Sequence, residues 1–349
     1  VNSDATPVVH KDVQLTVRNK VITKRAIFFP QAKALSITVL LGWLSLILAG
    51  CSLSPMKPLD SGVASLKSRL YLAHGASAGD APLNSLQAIE ATLQREDYDG
   101  IEIDIVLAGD SVPLLAHDPW ISEKNCRRYD GQTFEPVYIR DVYSSELNEL
   151  FECHFPAAKS GASEKASEFH PLVTLAEALA VAANHPEKTI YLDLKIQDGV
   201  TLDVEEYGAE IFLALTEQEI ANPVFIEVPE KHQMGKIKHS LEDFNARIAL
   251  SYPAFYAGED WDYIGAMAAI RTFFFAENPV DAAQESNADV LVSPTIVMSH
   301  SSVEKLHQSQ VLFGTFLVDD AESLKSACNH GADIIITDIP VGQRCEPDL

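Results

Sequence analysis

Positive charge is scarce in this chain. Its 349 residues hold 26 Lys and Arg against 50 Asp and Glu, a formal net charge of −24. So acidic a surface repels phosphate backbones, which excludes nucleic-acid partners, and it gives no attraction to anionic lipid headgroups. A divalent cation, by contrast, is attracted. Low-complexity tracts are missing, and 47% of the residues are apolar, so composition argues for one large domain or two smaller ones with a sizeable core. Long hydrophobic runs are scarce too. Residues 34–50 (ALSITVLLGWLSLILAG) form an uncharged stretch of only 17 residues, at the short limit for spanning a bilayer. Cysteines number five.

Lys20, Lys24, Arg25 and Lys33 precede that stretch, and it ends in Leu48-Ala49-Gly50-Cys51. A basic region, an apolar region and small residues before a cut site describe an export signal; an uncleaved membrane anchor is the alternative. A cysteine directly after Leu-Ala-Gly resembles the lipobox of bacterial lipoproteins. That resemblance implies cleavage before Cys51 and lipidation of Cys51, hence attachment to a membrane through the lipid. Ser52 in the next position resembles the pattern of lipoproteins sent to the outer membrane, which implies the periplasmic face of a bacterial cell envelope. Residues 1–50 are then a signal region, of which 1–19 are too polar to belong to the signal proper. Residues 51–68 read as a lipidated tether and 69–349 as the folded domain. The chain from residue 51 onward carries 20 basic and 48 acidic residues, a net charge of −28. With Cys51 as lipid acceptor, Cys126, Cys153, Cys328 and Cys345 remain, an even number in an exported protein. Nearness pairs Cys126 with Cys153 and Cys328 with Cys345; the other connectivities and free thiols stay open.

From residue 69 onward, short β-like runs alternate with helical patterns. The expected strands are 69–74, 100–106, 112–117, 189–195, 223–228, 246–251, 289–293, 311–318 and 333–337. Helices are expected over 84–94, with Asn84 as N-cap, over 174–184, with Thr174 and Glu177 as a capping box, and over 321–330, stopped by Gly331. Strand–helix alternation argues a parallel sheet, and nine candidates suit a (β/α)8 TIM barrel with one to spare. The pattern breaks at about 119–171, a long insertion after strand three, on the side where such a barrel carries its active site.

Two carboxylates stand two apart in Ile101-Glu102-Ile103-Asp104-Ile105. On a strand they share one face, while the isoleucines pack on the other. Two acids side by side call for a cation between them or a proton on one. Polar residues recur at the neighbouring strand ends: His74 on strand one, His117 on strand three, Asp193 and Lys195 on strand four. In a barrel these ends meet at one mouth. Glu102, Asp104 and Asp193 make a hard-cation site suited to Mg²⁺ or Ca²⁺. His74 and His117, titrating near neutrality, can act as general acid and base, and Lys195 can stabilise a phosphoryl oxygen. Such a set describes a metal-dependent phosphodiesterase acting on a small phosphodiester. Glu227 is a further strand-end acid, a site residue or a partner for Lys195. Arg127 and Arg128 read as solvated surface more than as phosphate contacts, and His154, His170, His300 and His330 as surface.

At these residues a resemblance becomes specific. His74-Gly75, Pro82-Leu83-Asn84-Ser85, Glu102-Ile103-Asp104, His117-Asp118, Val173-Thr174-Leu175, Asp193-Leu194-Lys195 and Gly331-Ala332-Asp333 through Thr337-Asp338-Ile339-Pro340 resemble, in order, the motifs of the glycerophosphodiester phosphodiesterase family. The resemblance spans about residues 69–342. It implies a phosphatidylinositol-phospholipase-like TIM barrel. It also implies a divalent metal on Glu102, Asp104 and Asp193, His74 and His117 as acid–base pair, and hydrolysis of glycerophosphodiesters to glycerol 3-phosphate and an alcohol. The chain departs from the family pattern: no Arg follows His74, Leu83 replaces a Glu, Asp193 replaces the third Glu and Phe316 stands where a Trp is usual. Asp-x-Lys also resembles the sphingomyelinase D relatives, so phospholipase D-type headgroup cleavage is an alternative, as is a surface barrel that binds ligand without catalysis.

Overall fold

The computed structural model describes residues 66, 68–79, 81–155, 168–253, 278–338 and 344–345. Thirteen strands are assigned among them: β1 (Leu70–Ala73), β2 (Gly100–Leu107), β3 (Pro113–Leu115), β4 (Trp120–Ile121), β5 (Cys126–Arg128), β6 (Val137–Tyr138), β7 (Phe151–Cys153), β8 (Thr189–Leu194), β9 (Val224–Val228), β10 (Ala246–Ser251), β11 (Val290–Val292), β12 (Leu312–Val318) and β13 (Ile334–Thr337). Eight of them close into a parallel barrel. The order is β1-β13-β12-β11-β10-β9-β8-β2, and β2 pairs back onto β1. The expected TIM barrel is therefore present.

The ninth candidate strand is accounted for by β3. It runs antiparallel to β2, with Ile105 opposite Leu115, so it forms a hairpin flap and is not a stave. A turn of five residues between β2 and β3 is too short for the crossover a parallel partner needs. The insertion does follow the third strand in chain order, but it lies between the second and third staves. Its small core holds Ile121, Ile139, Leu147, Phe151 and Phe155. The structure joins Cys126 to Cys153, on paired strands β5 and β7, and Cys328 to Cys345. Cys51, the signal region and all of the tether except residues 66 and 68 lie outside the described residues.

The helices form where the caps say they should. Helix α1 (Leu86–Leu93) starts one residue later than expected: Ser85 is the N-cap, its hydroxyl accepting the Ala88 N–H. Helix α2 is Ser144–Leu150, within the insertion. Helix α3 (Leu175–Ala182) has the Thr174–Glu177 capping box. Helices α4 (Val204–Glu217), α5 (Lys231–Ser240), α6 (Pro279–Glu285), α7 (His300–Gln308) and α8 (Ala321–Asn329) follow. Ile101, Ile103 and Ile105 face this helical layer and are fully buried in the main core. Burial of that kind is worth about 1.5–3 kcal/mol per side chain. The opposite faces of the staves point into the barrel, where Leu72, Tyr191, Phe225, Ala249, Val290, Leu312 and Ile334 form a second, separate cluster.

Candidate active site at the barrel mouth

One stave carries both acids. Glu102 and Asp104 alternate with the isoleucines on β2, and each is only 2% exposed. Asp193 comes from the neighbouring stave, directly opposite Asp104 in the β2–β8 register. One carboxylate oxygen from each of the three lies within 4.8 Å of the others.

The loop after β1 secures the pair. His74 opens a short turn in which Gly75 has φ 52°, and the Gly75 N–H donates to Glu102 Oε2 at 2.8 Å. A Cβ at Gly75 would come within 2.9 Å of Leu83, so this approach and this φ require glycine. Asn84 is the neighbour that sequence reasoning missed. It serves as no cap. It takes a left-handed conformation, φ 58°, donates its amide to Asp104 Oδ2 at 2.7 Å and accepts the Asp104 N–H at 3.1 Å. The available signal was two potential caps in succession, Asn84 and Ser85; asparagine is among the few residues that tolerate such a φ.

Lys195 follows β8, and its Nζ stands 2.7 Å from Asp104 Oδ1 and 2.5 Å from Asp193 Oδ2. Both alternatives for this lysine, an ion pair and a phosphate contact, remain compatible with that position. Burial works against the charge on Asp104, but Lys195, His117 and His74 hold its carboxyl well below the usual carboxylate range. Glu102 goes the other way: burial, then the charge of Asp104, pushes its pKa up to about 8. Both oxygens of Asp104 are engaged, Oδ1 by the Lys195 ammonium and Oδ2 by the Asn84 amide. Three carboxylates, two of them buried, converge within 4.8 Å, a hard oxygen donor set whose mutual repulsion a divalent cation would relieve.

Burial also opposes protonation of His74. It is outweighed by Asp338, whose Oδ1 accepts from Nδ1 at 2.7 Å, and by Glu102 and Asp104, and the pKa rises to about 10. The expectation that both histidines titrate near neutrality therefore fails for His74, which is a standing imidazolium. Asp338 follows β13 and ends the run Ile334-Ile335-Ile336-Thr337; the strand-end logic that found His74 applied here too. His117 lies two residues past β3, with Nδ1 2.9 Å from Asp118 Oδ1. Glu227 projects from β9 beside Asp193, accepts the Tyr191 hydroxyl at 2.8 Å, and is pushed up to about 8 by burial and by Asp193.

The remaining candidates lie elsewhere. Arg127 pairs with Glu152 and stacks on Phe169, and Arg128 pairs with Asp130, all within the insertion. His170 is not a plain surface residue: its ring meets Pro171 O and Leu83 O, tying the insertion to the loop after β1. His154 is half-buried, and its ring packs edge-on against Phe169.

The model of the glycerophosphoryl diester phosphodiesterase family matches residues 74–341, nearly all of the barrel. The chain belongs to that family. Glycerophosphoryl diester phosphodiesterases are phosphoric diester hydrolases, and this protein is one. Similar solved structures include a Silicibacter pomeroyi glycerophosphoryl diester phosphodiesterase at 17% identity, with a TM-score of 0.64 over 80% of this chain and 93% of that one. An Oleispira antarctica phosphodiesterase, solved with its product sn-glycerol-3-phosphate, is 19% identical, with a TM-score of 0.57 over 78% and 93%. The Agrobacterium tumefaciens glycerophosphodiester phosphodiesterase is 14% identical, with a TM-score of 0.54 over 78% and 97%. At these identities the likeness is one of fold. No curated protein matches the sequence.

Proposed function

We propose that the protein hydrolyses glycerophosphodiesters to glycerol 3-phosphate and an alcohol, with a divalent cation held by Glu102, Asp104 and Asp193. The observation that carries this reading is the meeting of three clustered carboxylates with an imidazole held charged at one barrel mouth. When bound, the cation supplies Lewis-acid polarisation of a phosphoryl oxygen. His117 takes the proton of the attacking hydroxyl, from water or from the neighbouring glycerol carbon. His74, fixed through Nδ1, gives its Nε2 proton to the alcohol oxygen as the P–O bond breaks. Lys195 keeps Asp104 and Asp193 together and offers its charge to a non-bridging oxygen. Asn84 and the Gly75 N–H hold Asp104 and Glu102 in place.

The Oleispira antarctica relative, solved with glycerol 3-phosphate, supports this product class. Attachment to the cell envelope through lipid on Cys51 belongs to the same proposal and rests on the sequence of residues 20–52. The test is release of glycerol 3-phosphate from glycerophosphocholine by the purified protein. Activity abolished by a chelator and restored by Mg²⁺ or Ca²⁺ is expected. Turnover of intact phospholipid to a cyclic phosphate, with none from glycerophosphodiesters, would overturn it.

A further inference from the structure

Behind His74 lies a second carboxyl that the mechanism above does not use. Strands β12 and β13 pair as Gly314–Ile334 and Thr315–Ile335, then as Val318–Thr337. The register slips by one residue between Thr315 and Val318. Continued without the slip, it would set Val318 beside Asp338. With the slip, Asp319 comes beside Asp338 at the mouth. The Thr337 hydroxyl, donating to Val318 O at 2.6 Å, pins the shifted register, and the Asp319 N–H donates to Ser323 Oγ at the start of α8. The two carboxyls are hydrogen-bonded to each other, and such a bond needs one proton between them.

We propose that Asp319 is a positioning residue, which acts through Asp338 to hold the His74 ring and its charge for the reaction. The chain runs Asp319–Asp338–His74, from three strand ends that meet only in the closed barrel. Asp338 keeps its charge, because the imidazolium and the Asp319 carboxyl both favour its ionised form, whereas burial and Asp338 push the Asp319 carboxyl up to about 6. The charged groups facing Asp319 are Asp338 from β13, His74 from the loop after β1 and Asp320 beside it at the N-terminus of α8. The proposal rests on His74 being the acid in the reading above.

The test pairs kinetics with ¹⁵N NMR of the His74 ring, in the wild-type protein, Asp319→Ala and Asp319→Asn. Assayed below about pH 6, where Asp319 keeps the shared proton, Asp319→Ala is expected to lower kcat about tenfold, the scale of a lost orienting partner, with KM nearly unchanged. Asp319→Asn keeps a donor for Asp338 and recovers most of the loss. In the wild-type protein the His74 signals shift as pH passes about 6, where Asp319 loses its proton; in Asp319→Asn this step disappears. Wild-type kcat and unmoved His74 signals in Asp319→Ala overturn the proposal. If Asp319→Ala does not fold, the step near that pH decides, since its survival in Asp319→Asn also overturns it. Full activity in His74→Ala removes the acid role but leaves the NMR test of the chain standing.

Discussion

The barrel interior has a floor and a mouth, built from the same strands one pleat apart. On the floor stand Leu72, Tyr191, Phe225 and Ala249, in one apolar cluster, with Tyr191 stacked on Phe225 at 6.0 Å. Two residues further along each strand come His74, Asp193, Glu227 and Ser251. Side chains two apart share a face, so this single step takes the interior from apolar to charged. The floor is closed from outside as well. Arg344 pairs with Asp99 and lies over the Tyr71 ring, and the Cys328–Cys345 bridge ties that end of the chain to α8. Every charge named at the floor has its partner. At the mouth, acids outnumber bases, and Glu102 and Glu227 hold their protons to about pH 8. The difference teaches a division of labour: apolar burial below stabilises a fold whose upper layer is left electrostatically unfavourable, ready for a cation and a phosphate.

That division can be broken, and the largest effect is expected in the mouth. His117→Ala should lower hydrolysis by about 10²–10⁴-fold while circular dichroism and Tm stay close to wild type, as for a lost general base. The reverse holds on the floor. Phe225→Ala should cost about 3–5 kcal/mol, read by denaturant unfolding, yet the protein still folded at low temperature should retain its activity. Loss of activity without loss of stability in that variant would erase the distinction. Asn84→Ala removes both hydrogen bonds to Asp104 and should weaken cation affinity or activity about 10–100-fold, measured by calorimetric titration, with little change in Tm.

The smallest effect sharpens the boundary between the layers, where Tyr191 on the floor donates to Glu227 above it. A carboxylic acid whose folded pKa lies above its unfolded value adds stability at low pH and loses it as pH rises through the folded value. For Glu227 the window runs from 4.5 to about 8. The cation-free protein should therefore lose Tm across this range, and Glu227→Gln should lose less. Equal slopes in the two proteins would place Glu227 outside this account.

Much of the fold was legible because its signals are local. The alternation of Glu102 and Asp104 with three isoleucines specified a half-polar stave, and Thr174 with Glu177 marked a helix start. Where local signals competed, the outcome followed the tertiary contacts. Residues 112–117 have the composition of a stave, but the short link from β2 turns them into an antiparallel flap. Asn84 and Ser85 both suit an N-cap; Ser85 takes the helix, and Asn84 turns to Asp104, 20 positions away. Lys195, which composition aimed at phosphate, sits beside Asp104 and Asp193, because in that buried place two carboxylates are the strongest attraction within reach.

From the sequence alone came the reaction class and most of the candidate residues that meet at the mouth, since period-two patterning and polar strand ends survive any arrangement of the staves around the barrel. The tertiary structure decided which strand was spare, that His74 is charged, that Glu102 keeps its proton to about pH 8, and that Asp319 stands beside Asp338. These depend on burial and on distances between strands far apart in the chain. A one-residue slip between Thr315 and Val318 is enough to change them, and no local pattern records it.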